Sequence, residues 1–202
     1  MSFIESLEDL HSHYGVAGEA STIKEIGFLS DHYRSIIEAS PFCALSTCGP
    51  EGLDCSPRGD QGSVVRIRDE KTLLMPDRRG NNRIDSLRNI VRDPRVSLMF
   101  MIPGWNNVLR INGTAGISVD PDLLGSFEME GCLPRSVIVI GIEAVYFQCA
   151  RAIMRAGLWT PDNIREPGSL PSPGMIMQEI KQGFDGDAYD AEWPGRAAKS
   201  MW

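Results

Sequence analysis

The chain has 202 residues, and its 20 Lys and Arg against 27 Asp and Glu give a formal net charge of −7 at pH 7. This length predicts one domain with a terminal appendage, and 42% hydrophobic with 23% charged residues excludes a wholly disordered chain. The acidic balance argues against a nucleic-acid partner, and the longest apolar runs, such as 137–142, fall far short of the roughly 20 residues that cross a bilayer. The N-terminus carries acids where a secretory signal needs a basic start, so we expect a cytoplasmic protein without a membrane partner.

Residues 1–40 are predicted to form a helical segment ahead of the main fold. Apolar side chains at positions 23, 26, 33, 36 and 37 follow helical spacing. Ser30 or Asp31 is placed to cap a second helical piece, which Pro41 ends. We expect one broken helix or two short ones.

From position 41 onward the pattern is that of short β-strands separated by turns. The predicted strands are 42–48, 53–57, 63–68, 72–75, 96–102, 109–119 and 137–147. Most of them follow one another without the intervening helices that a parallel sheet requires. The sequence therefore predicts a mainly β fold of the α+β class, an antiparallel barrel of about six or seven strands over 41–159 with peripheral helices. Strand 137–147 is apolar on both faces, so we expect it to be central or buried at a subunit contact.

The remaining elements are predicted helices and a proline-rich segment. The predicted helices cover 82–92, 122–127, 148–158 and 175–181. Residues 160–174 contain four prolines and are expected to be an irregular linker, so 160–202 is interpreted as a linker, a short helix and a tail.

The side chains that usually carry catalysis or bind metals are scarce. Cys43 and Cys149 lie in apolar runs and are interpreted as buried small hydrophobes, with a reactive thiol at Cys55 as the alternative. No Cys-x-x-Cys, Gly-x-Gly-x-x-Gly, phosphate-binding loop or Gly-x-Ser-x-Gly motif occurs. All three histidines precede the barrel, and His11 with His13 is interpreted as an exposed pair rather than a metal site. Any chemistry is therefore expected to belong to a bound cofactor.

Two basic segments are the most informative. Arg58 lies between Pro57 and Gly59 at a strand end, and Arg83 lies in the first turn of the predicted helix 82–92. A cation is unfavourable at a helix N-terminus by roughly 0.3–1 kcal/mol, whereas an anion there is stabilised by the free N–H groups. Arg83 with Asn81 or Asn82 is thus a candidate phosphate site.

Each of these arginines also has a simpler interpretation. Arg83 can be a solvated side chain that faces Asp85 or Asp77, and Asp60 can be the ion-pair partner of Arg58. Arg78 and Arg79, in a turn, are expected to be solvated.

The motifs as a set resemble the FMN-binding proteins related to pyridoxamine 5′-phosphate oxidase. The resemblance rests on SPRGD (56–60), LLMPDRRGNNRIDSLRNI (73–90), DPRV (93–96), LRINGTA (109–115) and CARAIMRAGLW (149–159). It covers about 20–160 and is strongest for the bacterial branch of probable FMN-dependent enzymes.

The resemblance implies a split β-barrel that forms a homodimer with FMN in clefts between the subunits. Pro76 and Asp77 fall where the oxidase has an aromatic-Thr pair, and Asn81, Asn82 and Arg83 fall where it has Ser-Arg-Lys. We expect Arg58, Asn82 and Arg83 to hold the phosphate. The polar edge of the flavin ring is expected near the backbone of 56–59 and 74–77, which includes Ser56.

The resemblance also bears on activity. The C-terminal arginine and histidine with which the oxidase binds its substrate have no visible counterpart in the tail 193–202, so pyridoxamine phosphate oxidation is not expected. Arg151, Arg155 and Trp159 are candidates for contact with substrate or with the partner subunit. The leading hypothesis is an FMN-dependent oxidoreductase for a small molecule, with NADH or NADPH as a candidate electron donor and no residue identified as a catalytic acid or base. The alternatives are a flavin-binding or sensing module without turnover, and a split barrel that binds haem or a deazaflavin.

Overall fold

The computed structural model describes residues 1–201; Trp202, the last residue of the predicted tail, lies outside the described residues. Seven strands form one antiparallel sheet in the order β2-β1-β5-β6-β7-β4-β3. Their bounds are β1 (Phe42–Gly49), β2 (Gly52–Gly59), β3 (Arg66–Asp69), β4 (Thr72–Asp77), β5 (Arg95–Met101), β6 (Val108–Ser118) and β7 (Ser136–Gln148). The predicted mainly antiparallel fold is therefore confirmed.

The sheet is open, because its two edge strands, β2 and β3, pair with inner strands and not with each other, and it surrounds one core, as a split β-barrel does. Its inward side chains form one hydrophobic cluster with side chains of the helices Asp31–Glu38 and Asp85–Arg92. In this cluster Phe100, Leu109 and Ile140 are fully buried. Each such side chain contributes about 1.5–3 kcal/mol through removal of its apolar surface from water.

β7 lies between β6 and β4, which confirms its predicted central place. It is apolar on both faces because Ile138 and Ile140 lie in the main core while Val137 packs in a second cluster with Leu74 and Phe127.

Two predictions about the strands are wrong. The third strand begins at Arg66 rather than at 63, because Val64 and Val65 turn into the core before the pairing with β4 starts. β6 ends at Ser118, so Val119 leaves the sheet and is 68% exposed. The pairing of β6 with β7 shifts register between Asn112 and Gly113, where Glu143 is an extra, unpaired residue on β7.

Nine helices and one 3₁₀ turn occur within residues 1–201. Their bounds are α1 (Leu7–His13), α2 (Glu19–Thr22), α3 (Asp31–Glu38), α4 (Asp85–Arg92), α5 (Pro121–Gly125), α6 (Arg151–Ala156), α7 (Pro173–Ile180), α8 (Gly186–Ala191) and α9 (Trp193–Ser200), with the 3₁₀ turn at Pro161–Asn163. Two short helices, α2 and α3, occupy the predicted broken segment, and the Ser30 hydroxyl caps α3 by accepting a hydrogen bond from Tyr33 N at 3.3 Å. α6 is shorter than the predicted helix 148–158 because β7 extends to Gln148.

The tail contains two helices that the sequence did not predict, α8 and α9. α9 contains Pro194 and Gly195, which are poor residues for a helix interior, but proline is tolerated in a first turn because its missing N–H has no partner there. α8 is tied to α7 because the Asp190 carboxylate accepts hydrogen bonds from Gly174 N (2.9 Å) and from the Ser172 hydroxyl. The boundaries of the three predicted segments, 1–40, 41–159 and 160–202, stay a prediction.

The cysteines follow the sequence interpretation only in part. Cys43 is fully buried, and that burial raises the pKa of its thiol to about 12. Cys149 is exposed, contrary to the prediction, because it follows the end of β7 and lies beyond the core. Within residues 1–201 no helix combines the length and the apolar character that a membrane span requires.

Candidate functional site

A cleft of about 940 Å³ opens where β2 and β4 end and β7 begins. The strand wall of the cleft is the inward face of β2, formed by Asp54, Ser56 and Arg58. The turn wall is residues 79–84, which join β4 to α4. Residues of α8 and α9 cover the cleft from a third side.

The strand wall is a connected polar network. Asp54, Ser56 and Arg58 alternate with exposed neighbours, because successive side chains of a strand point to opposite faces. The Asp54 carboxylate accepts hydrogen bonds from the Ser56 hydroxyl at 2.9 Å and from the Ser86 hydroxyl of α4 at 2.5 Å. Ser86, which is 2% exposed, in turn accepts a hydrogen bond from Arg58 Nη2 at 3.3 Å.

Arg58 is held against this wall but keeps an unused donor. Its side chain is 23% exposed, and its Nη2 lies 4.0 Å from the nearer carboxylate oxygen of Asp77. Its Nη1 donates to Pro57 O at 3.2 Å, while its buried Nε has no hydrogen-bond partner within the described residues. A buried N–H without a partner is costly, so this nitrogen favours an acceptor in the cleft.

The turn wall is shaped by its two asparagines. Asn82 has a positive φ of 63°, which asparagine tolerates better than most residues. The Asn81 side chain accepts a hydrogen bond from the backbone N of Arg83 at 3.0 Å, and the Asn82 side chain accepts one from Arg135 Nη1 at 2.5 Å. These contacts keep the chain in a turn, so α4 begins at Asp85 and not at 82.

The predicted place of Arg83 in the first turn of the helix is therefore wrong. Arg83 precedes α4, its side chain is 80% exposed, and its Nε lies 2.6 Å from an oxygen of Asp85. The Asp85 carboxylate raises the pKa of Arg83 through this hydrogen bond. The alternative interpretation, a solvated arginine that faces Asp85, describes this side chain, although Arg83 still lines the cleft.

A buried ion pair joins the bases of the two walls. Arg78 Nε and Nη2 each lie 3.0 Å from Asp60 Oδ2, and Arg78 Nη1 donates to Phe127 O at 2.7 Å. The side chains of Arg78 and Asp60 are only 13% and 6% exposed. The predicted solvated Arg78 is thus wrong, and Asp60 pairs with Arg78 rather than with Arg58. Arg79 is exposed, as predicted.

The floor of the cleft brings Asp77 opposite Ser136 on the paired strands β4 and β7, next to Pro76. Burial raises the pKa of the Asp77 carboxyl, an effect that Arg58 and Arg135 oppose. Ser136 is 6% exposed, and its hydroxyl has no hydrogen-bond partner within the described residues. The floor therefore offers an acceptor and an unused hydroxyl side by side.

The cleft is locally positive although the chain is acidic. The described residues that line it include six arginines and four aspartates, and neither histidine nor cysteine. They are Arg58, Arg78, Arg79, Arg83, Arg135, Arg196, Asp54, Asp60, Asp77 and Asp85. This excess of positive charge, together with unused donors, suits a small anion with a hydrogen-bonding phosphate or carboxylate group.

Comparison with known proteins identifies the family. Residues 29–149 match the family model described as pyridoxamine 5′-phosphate oxidase, and this segment is more than half of the chain. The chain belongs to the pyridoxamine 5′-phosphate oxidase family. The resemblance inferred from the sequence motifs is thereby confirmed, and both walls of the cleft lie inside the matched segment.

Three solved structures are similar to this chain. HupZ from Group A Streptococcus is 16% identical, covers 59% of this chain and 93% of its own, and gives a TM-score of 0.49. A putative pyridoxamine 5′-phosphate oxidase from Lactobacillus delbrueckii is 18% identical, with coverages of 60% and 95% and a TM-score of 0.48. An FMN-binding protein from Syntrophomonas wolfei is 12% identical, with coverages of 57% and 88% and a TM-score of 0.42. No curated protein sequence matches this chain.

The cover of the cleft lies outside the segment that matches the pyridoxamine 5′-phosphate oxidase family. Tyr189, Trp193 and Arg196 of α8 and α9 line the cleft. The Arg196 guanidinium stacks 3.9 Å from the centre of the Tyr189 ring and donates to Tyr189 O at 2.7 Å. Its buried Nε, like that of Arg58, has no hydrogen-bond partner within residues 1–201.

Several other candidates lie away from the cleft. Arg151 and Arg155 are on the exposed face of α6, and the Trp159 indole donates to Trp105 O at 2.9 Å. None of these three lines the cleft, and their contact with a substrate or partner subunit stays a prediction. His11 and His13 are exposed on α1. In the described part of the chain no group of three or more His, Cys, Asp or Glu is arranged to hold a metal ion.

Sequence reasoning missed Asp54, Ser86, Arg135 and Ser136. Asp54 could have been predicted from the sequence, because it lies on the same strand face as Ser56 and Arg58, at alternate positions. Ser86, Arg135 and Ser136 reach the cleft only through tertiary contacts between α4, β7 and the two walls, which no local pattern reports.

Proposed function

We propose that the protein is an FMN-dependent oxidoreductase that acts on a small molecule. The observation that carries this proposal is the combination of a locally positive cleft with buried polar atoms that lack a partner. FMN has a phosphate monoester with about two negative charges at neutral pH and a planar ring with a polar edge. The six arginines and four aspartates that line the cleft leave a positive excess that matches this phosphate.

The residues present fit the cofactor. Arg58 is the central phosphate ligand, because it is partly buried and its Nε is unused. Asn81, Asn82 and Arg83 complete the phosphate site from the turn wall. Other residues suit the ring of the flavin: the apolar surfaces of Val64 and Pro76, the backbone near Ser56, and the Asp77 carboxyl with the Ser136 hydroxyl.

The cofactor and the protein chain would have different roles. When bound, FMN would supply the redox chemistry by accepting and passing on electrons. The chain would hold the phosphate, orient the ring and limit access of water, with the α8–α9 cover as the barrier. No residue of the cleft is assigned as a catalytic acid or base.

We further propose that the protein acts as a homodimer. A row of outward side chains crosses four paired strands: Ala44, Met99, Arg110 and Tyr146. Met99 is 38% exposed, and Arg110 lies 5.3 Å from the centre of the Tyr146 ring. This mixture of apolar and amphipathic side chains suits a subunit contact. The expected mass in light scattering is that of two chains, and a monomer at micromolar concentration would contradict this part of the proposal.

The test begins with the spectrum of the purified protein. A flavin absorption spectrum, with FMN identified by mass after release on denaturation, would support the cofactor assignment. Tight binding of haem or a deazaflavin in preference to FMN would contradict it. Anaerobic addition of NADH or NADPH then tests turnover: bleaching of the flavin absorption supports an oxidoreductase, whereas an unchanged spectrum with these and other electron donors favours a flavin-binding module. The cytoplasmic location and the absence of a nucleic-acid partner stay predictions from the sequence.

A further inference from the structure

Ser86 lies at the centre of the strand wall and connects α4 to β2. It is 2% exposed, and its hydroxyl contacts three side chains: the Asp54 carboxylate, Ser56 Oγ at 3.2 Å and Arg58 Nη2 at 3.3 Å. A hydroxyl has one proton to donate and two lone pairs. Because the Asp54 carboxylate can only accept, it takes the Ser86 proton, and the lone pairs of Ser86 are left for the Arg58 guanidinium.

Asp54 is unexpected as a component of an anion site. Its negative charge lines the cleft and would repel a phosphate in the same space. Its carboxylate is engaged by two hydroxyls, those of Ser56 and Ser86, and not directly by the Arg58 guanidinium. The chain Asp54–Ser86–Arg58 thus links a carboxylate to an arginine through one buried hydroxyl.

We propose that Asp54 and Ser86 are positioning residues that orient the Arg58 guanidinium for a phosphate monoester; this inference rests on the proposed FMN function. An arginine side chain has many rotamers, and ordering it at the moment of binding weakens affinity. The network fixes one nitrogen, Nη2, on the wall. It leaves the exposed part of the guanidinium available to the ligand, since the Arg58 side chain is 23% exposed.

For one substitution, the positioning role and the change in charge predict opposite changes in FMN affinity. Asp54→Ala removes the acceptor of the Ser86 hydroxyl together with a negative charge beside a bound anion, and electrostatics alone predicts tighter binding of FMN. Loss of the positioning contact predicts weaker binding, by about 3–10-fold, the effect of one lost hydrogen bond. Asp69→Ala is the matched control, since it removes a carboxylate that neither lines the cleft nor contacts Ser86, and we expect it to leave FMN affinity unchanged.

The measurement is the ratio of the dissociation constants for riboflavin and FMN, from fluorescence titration of the apoprotein. Riboflavin lacks the phosphate, so a general loosening of the cleft changes both constants and leaves their ratio in place. We expect Asp54→Ala and Ser86→Ala to lower the preference for FMN by about 3–10-fold with the riboflavin constant unchanged. Unchanged ratios in both variants, or a raised ratio in Asp54→Ala, would overturn the inference.

A double-mutant cycle separates this inference from the proposed function. In an Arg58→Ala background, Asp54→Ala and Ser86→Ala are expected to have no further effect on the ratio, because the side chain that Asp54 and Ser86 position is absent. Full additivity would contradict the positioning role. If Arg58→Ala itself leaves the ratio unchanged, or if the unaltered protein does not prefer FMN to riboflavin, the proposed function fails instead.

Discussion

Arg58 in the strand wall and Arg83 in the turn wall both line the cleft, yet their side chains are 23% and 80% exposed. Arg58 is anchored by a buried hydroxyl from another element, whereas Arg83 pairs with Asp85, only two residues away. The strand wall therefore holds its cation before a ligand arrives, while the turn wall can adjust. The same residue type at two sides of one cleft is therefore expected to contribute differently to ligand affinity, because preorganisation differs.

The largest expected effect is a loss of stability when the ion pair that joins the two walls is broken. Arg78→Ala leaves the Asp60 carboxylate, which is 6% exposed, without its guanidinium partner. Loss of one partner of a buried pair costs about 3–5 kcal/mol, equivalent to a fall in Tm of roughly 6–20 °C for a chain of this size. Thermal unfolding followed by circular dichroism measures it.

Arg79→Ala is the matched control, since Arg79 is the exposed neighbour in the same turn. We expect its Tm to stay within about 2 °C of the unaltered protein, which is the range of ordinary surface substitutions. Equal Tm values for the two variants would show that the two walls do not depend on the buried pair.

The next largest expected effect is a loss of FMN affinity when the strand wall is changed. Arg58→Ala removes the proposed charge-assisted contact to the phosphate, so FMN affinity is expected to fall by about 10–100-fold. Riboflavin affinity is expected to change little, because its contacts are with the ring site. Isothermal titration of both ligands provides the comparison, and an equal loss for riboflavin would place Arg58 at the ring rather than at the phosphate.

The barrel was predictable because most of its strands show a local pattern of apolar residues in the sequence. β1, β4, β5, β6 and β7 follow apolar or alternating runs whose places do not depend on distant residues. The position of Arg58 at a strand end was also predictable, since Pro57 and Gly59 flank it. The start of α4 was not, because the left-handed backbone of Asn82 and the side-chain contact of Asn81 override the helical spacing from position 82.

The tail shows a different limit of sequence reasoning. Its helices α8 and α9 bury few side chains and contain glycine and proline, so propensity argues against them. They form through contacts such as the Asp190 carboxylate with Gly174 N, and the Arg196 guanidinium with the Tyr189 ring. The residues that cover the cleft could therefore not be derived from local patterns.

The shape of the turn wall is tested at Asn82. Its φ of 63° costs an alanine about 1–2 kcal/mol, whereas glycine adopts this conformation freely. Both substitutions lose the contact with Arg135. The difference in stability between Asn82→Ala and Asn82→Gly therefore reports the cost of the positive φ for a residue with a Cβ atom. We expect Asn82→Ala to have the lower free energy of unfolding in urea. Equal values would mean that the turn relaxes out of the left-handed conformation.

Arg83→Ala is expected to have a smaller effect on FMN than Arg58→Ala. An exposed ion pair such as Arg83–Asp85 contributes about 0–1 kcal/mol, so we expect FMN affinity to fall by no more than about 5-fold. Fluorescence titration at low and high salt measures it, since the contribution of an exposed cation is screened by salt. A loss as large as that of Arg58→Ala would mean that Arg83 leaves Asp85 and closes on the phosphate.

The smallest effect concerns the floor, where Asp77 lies between the two walls. Burial raises its pKa in the folded state, so its contribution to stability is fully present below the unfolded pKa of about 3.9 and is lost as pH rises through the folded pKa. Asp77→Asn removes this titration. The Tm of the variant relative to the unaltered protein is therefore expected to rise with pH above about 4, by less than the 2–4 °C that about 1 kcal/mol produces.

Asp69 provides a control of opposite sign for this pH dependence. Its pKa is lowered by hydrogen bonds from Lys71 N and from Thr72, so its contribution is present above the unfolded pKa and is lost as pH falls through the folded pKa. Asp69→Asn should thus lose stability relative to the unaltered protein as pH rises, while Asp77→Asn gains it. Parallel curves for the two variants would mean that Arg58 and Arg135 lower the pKa of Asp77 by more than burial raises it, and the floor of the cleft would then be a second contact that is ordered before a ligand binds.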